Sequence, residues 1–205
     1  MTAATIAPIS DGPLTQAHQH AMAAASERGK SIRKAARVAT FNGWATAIIA
    51  ALSAPFALFS LAGFLVFAGL SVVAYNEFRG RRRLLAFDPK AAAILGWNQL
   101  GLLAMIIVYC VWALYSGLVG SGTLEAQLEA NPELGAALGS LEGMEGFGEL
   151  YQTIVVALYS SVIVLSVIFQ GANAIYYFTR RKLVENYVRE TPAWVLDLQR
   201  ATRSA

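Results

Sequence analysis

The sequence predicts an all-α integral membrane protein: four transmembrane helices in two hairpins, both termini cytoplasmic, with amphipathic peripheral helices. Three observations predict it. Charged residues make up 14% of the chain and hydrophobic residues 56%, whereas an ordinary soluble domain carries about 25% charged residues. Three long stretches, residues 38–76, 91–124 and 150–179, contain no Asp, Glu, Lys, Arg or His. All sixteen Lys and Arg residues flank these stretches, and none lies between Ala91 and Thr179.

Residues 1–37 form the predicted cytoplasmic N-terminal segment. After a loose start, Ser10 and Asp11 offer caps and Pro13 suits a first turn, so a helix is expected from about Leu14 to Arg37. It is Ala-rich with a basic C-terminal end, able to lie on the headgroup surface or to extend the first crossing. No short basic region runs directly into an apolar core and cleavage site, so the first hairpin is expected to serve as the insertion signal.

The predicted transmembrane domain covers residues 38–178, with crossings at about 38–52, 56–76, 91–117 and 151–178. A crossing takes roughly 20 apolar residues, so the 39-residue stretch 38–76 must be one very long helix or two short ones. Its flanks decide. Arg28, Lys30, Arg33, Lys34 and Arg37 precede it, and Arg79, Arg81, Arg82 and Arg83 follow it. Basic flanks stay on the cytoplasmic side, so two crossings are predicted, with the turn at Ser53-Ala54-Pro55. Ser53 would cap the new helix and Pro55 would occupy its first turn. The first crossing is then short: fifteen residues span only ~23 Å.

Arg180, Arg181 and Lys182 place the end of the fourth crossing inside by the same rule. Residues 119–150 form the extracytoplasmic loop, carrying Glu125, Glu129, Glu133, Glu142, Glu145 and Glu149 and no basic residue. Sixteen basic against seven acidic residues leave +9 inside, and the six glutamates leave −6 outside, which together make the net +3. The basic residues therefore read as a rim facing anionic lipid headgroups rather than as a nucleic-acid surface.

Within the loop, Leu124 and Leu128 lie one turn apart, and Asn131-Pro132 would start a helix carrying Leu134, Leu138 and Leu141. Gly143, Gly146 and Gly148 suggest a flexible return to the membrane. The cytoplasmic tail, residues 179–205, continues as a polar helix; Thr191-Pro192 then starts a short one with Trp194, Val195 and Leu198 on one side.

The two halves share a pattern. Asn42-Gly43-Trp44 opens the first crossing and Gly96-Trp97-Asn98 lies near the inner end of the third. The second leaves as Asn76-Glu77-Phe78, the fourth as Tyr176-Tyr177-Phe178, each before a basic cluster. Duplicated hairpins would produce this, as would the general preference of aromatic rings and cations for the interface.

The function classes are narrowed by what the crossings lack. No ionisable residue occupies the middle of any predicted crossing, so neither a proton relay nor a voltage sensor is legible. Glu77 comes nearest, beside Arg79, where pairing or snorkelling would make it structural. The two histidines, His18 and His20, diverge on a helix, and Cys110 is the only cysteine, so no metal and no cofactor is expected. Ser160, Ser161 and Ser166 lack a base at membrane depth, and no Walker loop or dinucleotide fingerprint is present.

Amides are the remaining intramembrane polar groups. Asn42, Asn76, Asn98, Gln99, Gln170 and Asn173 all fall in the cytoplasmic third of their crossings, as interhelical hydrogen bonds or as a polar vestibule. The Ala-, Gly- and Arg-rich composition fits the cytoplasmic membrane of a bacterium. The function expected is a non-enzymatic polytopic protein that assembles with itself or serves as an accessory subunit of a membrane complex. Its partners would be membrane lipids and other copies or membrane subunits, with no nucleic acid. The alternative is an oligomeric channel or transporter subunit with a polar cytoplasmic vestibule; a lipid-directed enzyme comes third, for want of an acid–base pair.

Overall fold

Continuous apolar periodicity carries the chain through five helices in a computed structural model that describes residues 14–119, 128–133 and 147–204. They are α1 (Gln16–Ala57), α2 (Leu61–Leu85), α3 (Ala91–Val119), α4 (Phe147–Glu190) and α5 (Ala193–Ser204). The described residues are all-helical, and α1 to α4 are each long and apolar enough to cross a membrane. Residues 128–130 and 132–133, in the α3–α4 connection, are helical. The expectations for Ser10, Asp11, Pro13, Leu124, Leu134, Leu138, Leu141, Gly143 and Gly146 lie outside the described residues.

The N-terminal helix and the first span are one element. Thr15 caps α1 by accepting from the His18 backbone N–H at 3.3 Å, and no break follows before Ala57. The expected turn at Ser53-Ala54-Pro55 is therefore corrected: all three residues lie inside α1. Pro55 forfeits one backbone bond only three residues before the helix stops, where little of the ladder is lost. Ser53 Oγ donates to the Ile49 carbonyl at 2.8 Å instead of capping anything. The turn is Leu58-Phe59-Ser60, and Ser60 is the cap of α2, its Oγ accepting from Gly63 N–H at 2.9 Å. The first apolar span is thus longer than predicted, and the short-helix problem disappears.

The α2–α3 connection is held by an unusual residue. Phe87 adopts φ 59°, a left-handed conformation that is costly for a side chain with a Cβ. Its N–H donates to the Leu84 carbonyl and Asp88 N–H to the Arg83 carbonyl, both at 3.0 Å, which closes the end of α2. Burial to 1% exposure and stacking on Tyr187 at 4.6 Å between centroids hold Phe87 there.

Helix α1 packs chiefly on α2, and α3 chiefly on α4. The ends of the spans that carry Arg33–Arg37, Arg79–Arg83 and Arg180–Lys182 meet in one core, the basic end of the molecule. Ala25, Ile32, Ala35 and Ala39 of α1 pack there with Leu84, Leu95, Tyr177 and Val184. Helix α5 joins this core through Val195 and Leu196. The expected stripe shifts by one residue: Trp194 is 38% and Leu198 44% exposed. Trp194 meets His18 edge-on at 5.0 Å, Tyr187 Oη donates to Gln199 at 2.7 Å, and Arg28 donates to the Glu190 carbonyl at 3.0 Å. The tail is clasped to its own bundle.

Candidate functional site

Burial on helix α2 follows helical spacing: Leu70, Val73, Ala74, Glu77, Gly80 and Leu84 form its buried face. Glu77 is on that face, which corrects the expectation that it pairs with Arg79 or snorkels. The carboxyl is fully buried, and no ion pair reaches it among the described residues. Arg79 is exposed on another side of the helix.

What surrounds Glu77 is the amide set. Asn98 Nδ2 donates to Glu77 Oε1 at 2.9 Å and Gln99 Nε2 donates to the same oxygen at 2.7 Å. Tyr177 Oη lies 3.3 Å from Glu77 Oε2 as the donor and itself accepts from Asn42 Nδ2 at 3.3 Å. Asn76 Nδ2 donates to Asn98 Oδ1 at 3.2 Å, and Asn98 Nδ2 also reaches the Val73 carbonyl at 3.1 Å. One polar knot thereby joins α1, α2, α3 and α4. Three donors thus reach the Glu77 carboxyl, which is how a buried acidic group is accommodated without a cation.

Asn42, Asn76, Asn98 and Gln99 thus come together, while Gln170 and Asn173 do not join them. Those two are half-buried, without a side-chain hydrogen bond among the described residues, and line a cleft of about 440 Å³. Asn42, Thr46 and Gln99 stand across from them; Ile49, Leu102, Ile106, Leu158 and Val162 form apolar walls, and Tyr109 and Tyr159 stand farther along. Gln99 connects knot and cleft: it is 2% exposed, its Nε2 is spent on Glu77, and its Oε1 has no partner among the described residues.

Sequence reasoning missed Glu77 and Tyr177 as members of the site. A signal for Glu77 was present, since it falls at helical spacing from Leu70, Val73 and Leu84 whereas Arg79 does not. For Tyr177 it was the repeat. Glu77 and Tyr177 each precede a phenylalanine, and the two phenylalanines occupy matching places. Trp44 meets Phe78 edge-on at 5.7 Å and 81°, and Trp97 meets Phe178 at 5.9 Å and 83°. A Cβ on Gly43 would approach the Phe78 ring to 3.1 Å, and one on Gly96 the Phe178 ring to 2.8 Å. Each helix pair uses a glycine to seat a phenylalanine beside a tryptophan.

The basic residues divide by exposure. Arg33, Arg37 and Arg81 line a pocket with Thr40, and Arg180 lies over the Tyr176 ring at 4.8 Å. Arg181 pairs with Glu185 at 2.8 Å; Lys34, Arg82 and Lys182 are exposed, and Arg83 is half-buried near Asp88. Among the described residues no three His, Cys, Asp or Glu side chains gather to hold a metal ion. Compared with models of known families, with curated proteins and with solved structures, the chain matches none.

Proposed function

We propose that this chain is a multi-pass protein of the bacterial cytoplasmic membrane, four crossings in two hairpins with both termini cytoplasmic. It works without catalysis, by assembling with itself or as an accessory subunit of a membrane complex. The observation that carries assembly is the exposure of α4. Only 6% of its most apolar stretch is buried within the chain, against 22% for each of α1, α2 and α3. Small residues lie on that surface: Ala157 and Ser161, one turn apart, are both exposed, and such pairs let helices approach closely in lipid. The basic pocket of Arg33, Arg37 and Arg81 suits the headgroups of anionic lipids.

Cysteine cross-linking in native membranes tests assembly. With the buried Cys110 replaced by alanine, an Ala157→Cys chain is expected to form covalent dimers or a cross-link to a larger partner. A chain that stays monomeric in mild detergent and cross-links to nothing in the membrane would end this reading. Topology is tested by labelling a cysteine placed at Glu133, which should react with an impermeant reagent from outside.

A second reading, a channel or transporter subunit, is supported by Gln170 and Asn173 facing a cleft with no protein partner among the described residues. It predicts ion flux in proteoliposomes that falls when both become leucine.

A further inference from the structure

The cleft beside the polar knot has the size of a small-molecule site, about 440 Å³, within the usual range of 300 to 1,000 Å³. Its chemistry changes along its length. One end carries Asn42, Gln99, Gln170 and Asn173; beyond them the walls are mostly apolar, with Tyr109 and Tyr159 among them. Among the described residues no Asp, Glu, Lys or Arg lines it. Leu158 at 56% and Phe169 at 62% exposure flank its mouth on the surface of α4, where hydrocarbon would lie.

Gln99 specifies what the polar end needs. Its Oε1 is buried without a partner among the described residues, and in hydrocarbon no bulk water is at hand to satisfy it. Turned over, the amide would set its oxygen against Glu77 Oε1, now 2.7 Å from Nε2, and take from that carboxyl one of its donors. In this arrangement an acceptor is left over, and a buried acceptor without a donor costs about 1 to 3 kcal/mol. The occupant must supply a donor.

Depth and charge narrow it further. Asn173 precedes Arg180 by seven residues, which sets the amides ~10 Å beyond the basic rim along α4. A phosphate or ammonium group belongs at the rim, and an uncharged lining at this depth would not compensate one. We infer that the cleft binds an uncharged, hydroxyl-bearing amphiphile from the bilayer, its hydroxyl donating to Gln99 Oε1 and its chain lying along the walls of α1, α3 and α4. Gln170 and Asn173 would hold the hydroxyl oxygen from the other side. The inference rests on the membrane-spanning part of the reading above and not on assembly.

The test uses the full chain in vesicles of phosphatidylethanolamine and phosphatidylglycerol. Two photoreactive probes are compared, a diacylglycerol and a long isoprenoid alcohol, each with a diazirine on the chain, and labelled residues are mapped by mass spectrometry. The expected result is labelling by one or both near Leu158, Val162 and Phe169; the stronger probe identifies the lipid source. Unlabelled hexadecanol should compete about tenfold better than hexadecane or hexadecyl sulfate, as one hydrogen bond of roughly 1.4 kcal/mol implies. Replacing Gln170 and Asn173 together by leucine should reduce that preference without erasing it, because the bond to Gln99 Oε1 remains. Leu158→Trp, a change at an exposed position that leaves the knot intact, should block the mouth and abolish labelling. Labelling spread evenly along the lipid face of α4, equal competition by hexadecane, or labelling indifferent to Leu158→Trp would overturn the proposal and leave water as the partner of Gln99. Cross-linking through position 157 reads assembly separately, so either idea can fall alone.

Discussion

At the basic end, Ala35, Ala39, Leu84, Ala91, Leu95, Tyr177 and Val184 have no exposed surface, and five helices share one core. Toward the other end, Ala50, Leu70, Val73 and Leu102 form a smaller cluster, while Ile154, Leu158, Val164 and Leu165 of α4 face outward. The apolar content of the far half is as high, yet it packs less. The difference teaches what drives association in lipid. Aliphatic side chains gain little by leaving a solvent as apolar as themselves, so helices adhere where small residues allow close approach and polar groups need partners. The basic half has both, in its alanines and glycines and in the knot around Glu77.

Four experiments would break or sharpen that contrast. The largest effect is expected for Phe87→Ala, which empties a buried site beneath Tyr187 and leaves the left-handed residue unsupported. It should cost about 3 to 5 kcal/mol in reversible unfolding from detergent micelles, whereas Ile154→Ala on the open face of α4 should change stability by less than about 0.5 kcal/mol. Equal losses would mean the halves are equally packed. Next comes Glu77→Ala, expected to cost about 2 to 4 kcal/mol because the Asn98 and Gln99 donors and the Tyr177 hydroxyl lose their acceptor. A variant as stable as the parent would show that the knot contributes no net stability.

The glycine pair tests whether the two helix pairs are equivalent. Gly96→Ala and Gly43→Ala each press a methyl group onto a phenylalanine ring, at an expected cost of about 1 to 2 kcal/mol after the gain in helix propensity. Gly96→Ala, with the closer approach, should cost more, and the reverse order would argue against matched seats. The smallest effect belongs to Tyr187→Phe, which removes the 2.7 Å bond to Gln199 and should cost about 0.5 to 1.5 kcal/mol. Limited proteolysis should then release α5 earlier than in the parent, while the spans remain protected.

Much of the fold was legible. Charge-free stretches marked four apolar helices because no other run of this sequence can meet hydrocarbon without charge. The turn between the first two was misplaced because Pro55 and Ser53 are turn-forming residues in isolation, while Ser60 has the same capping chemistry and sits where the helix ends. Position in the chain could not rank the two serines; in the structure Ser53 lies inside α1 and Ser60 caps α2. The amides were legible as a group, since they are the polar groups of otherwise apolar spans. Their division into a knot and a cleft was not, because Asn98 and Gln99 differ from Gln170 and Asn173 only in what other helices bring against them.

The sequence by itself determined which segments are apolar enough to cross a membrane, where the charge gathers and how many helices are long enough to cross, because solvation by hydrocarbon is a property of each segment alone. Only the tertiary structure decided that Glu77 turns away from Arg79 into a knot of amides, that the tail clasps its own bundle, and that Gln99 keeps an unanswered acceptor in a cleft. Those outcomes depend on donors and small surfaces from four helices far apart in sequence arriving at one place, and helical periodicity within any one of them leaves that meeting open.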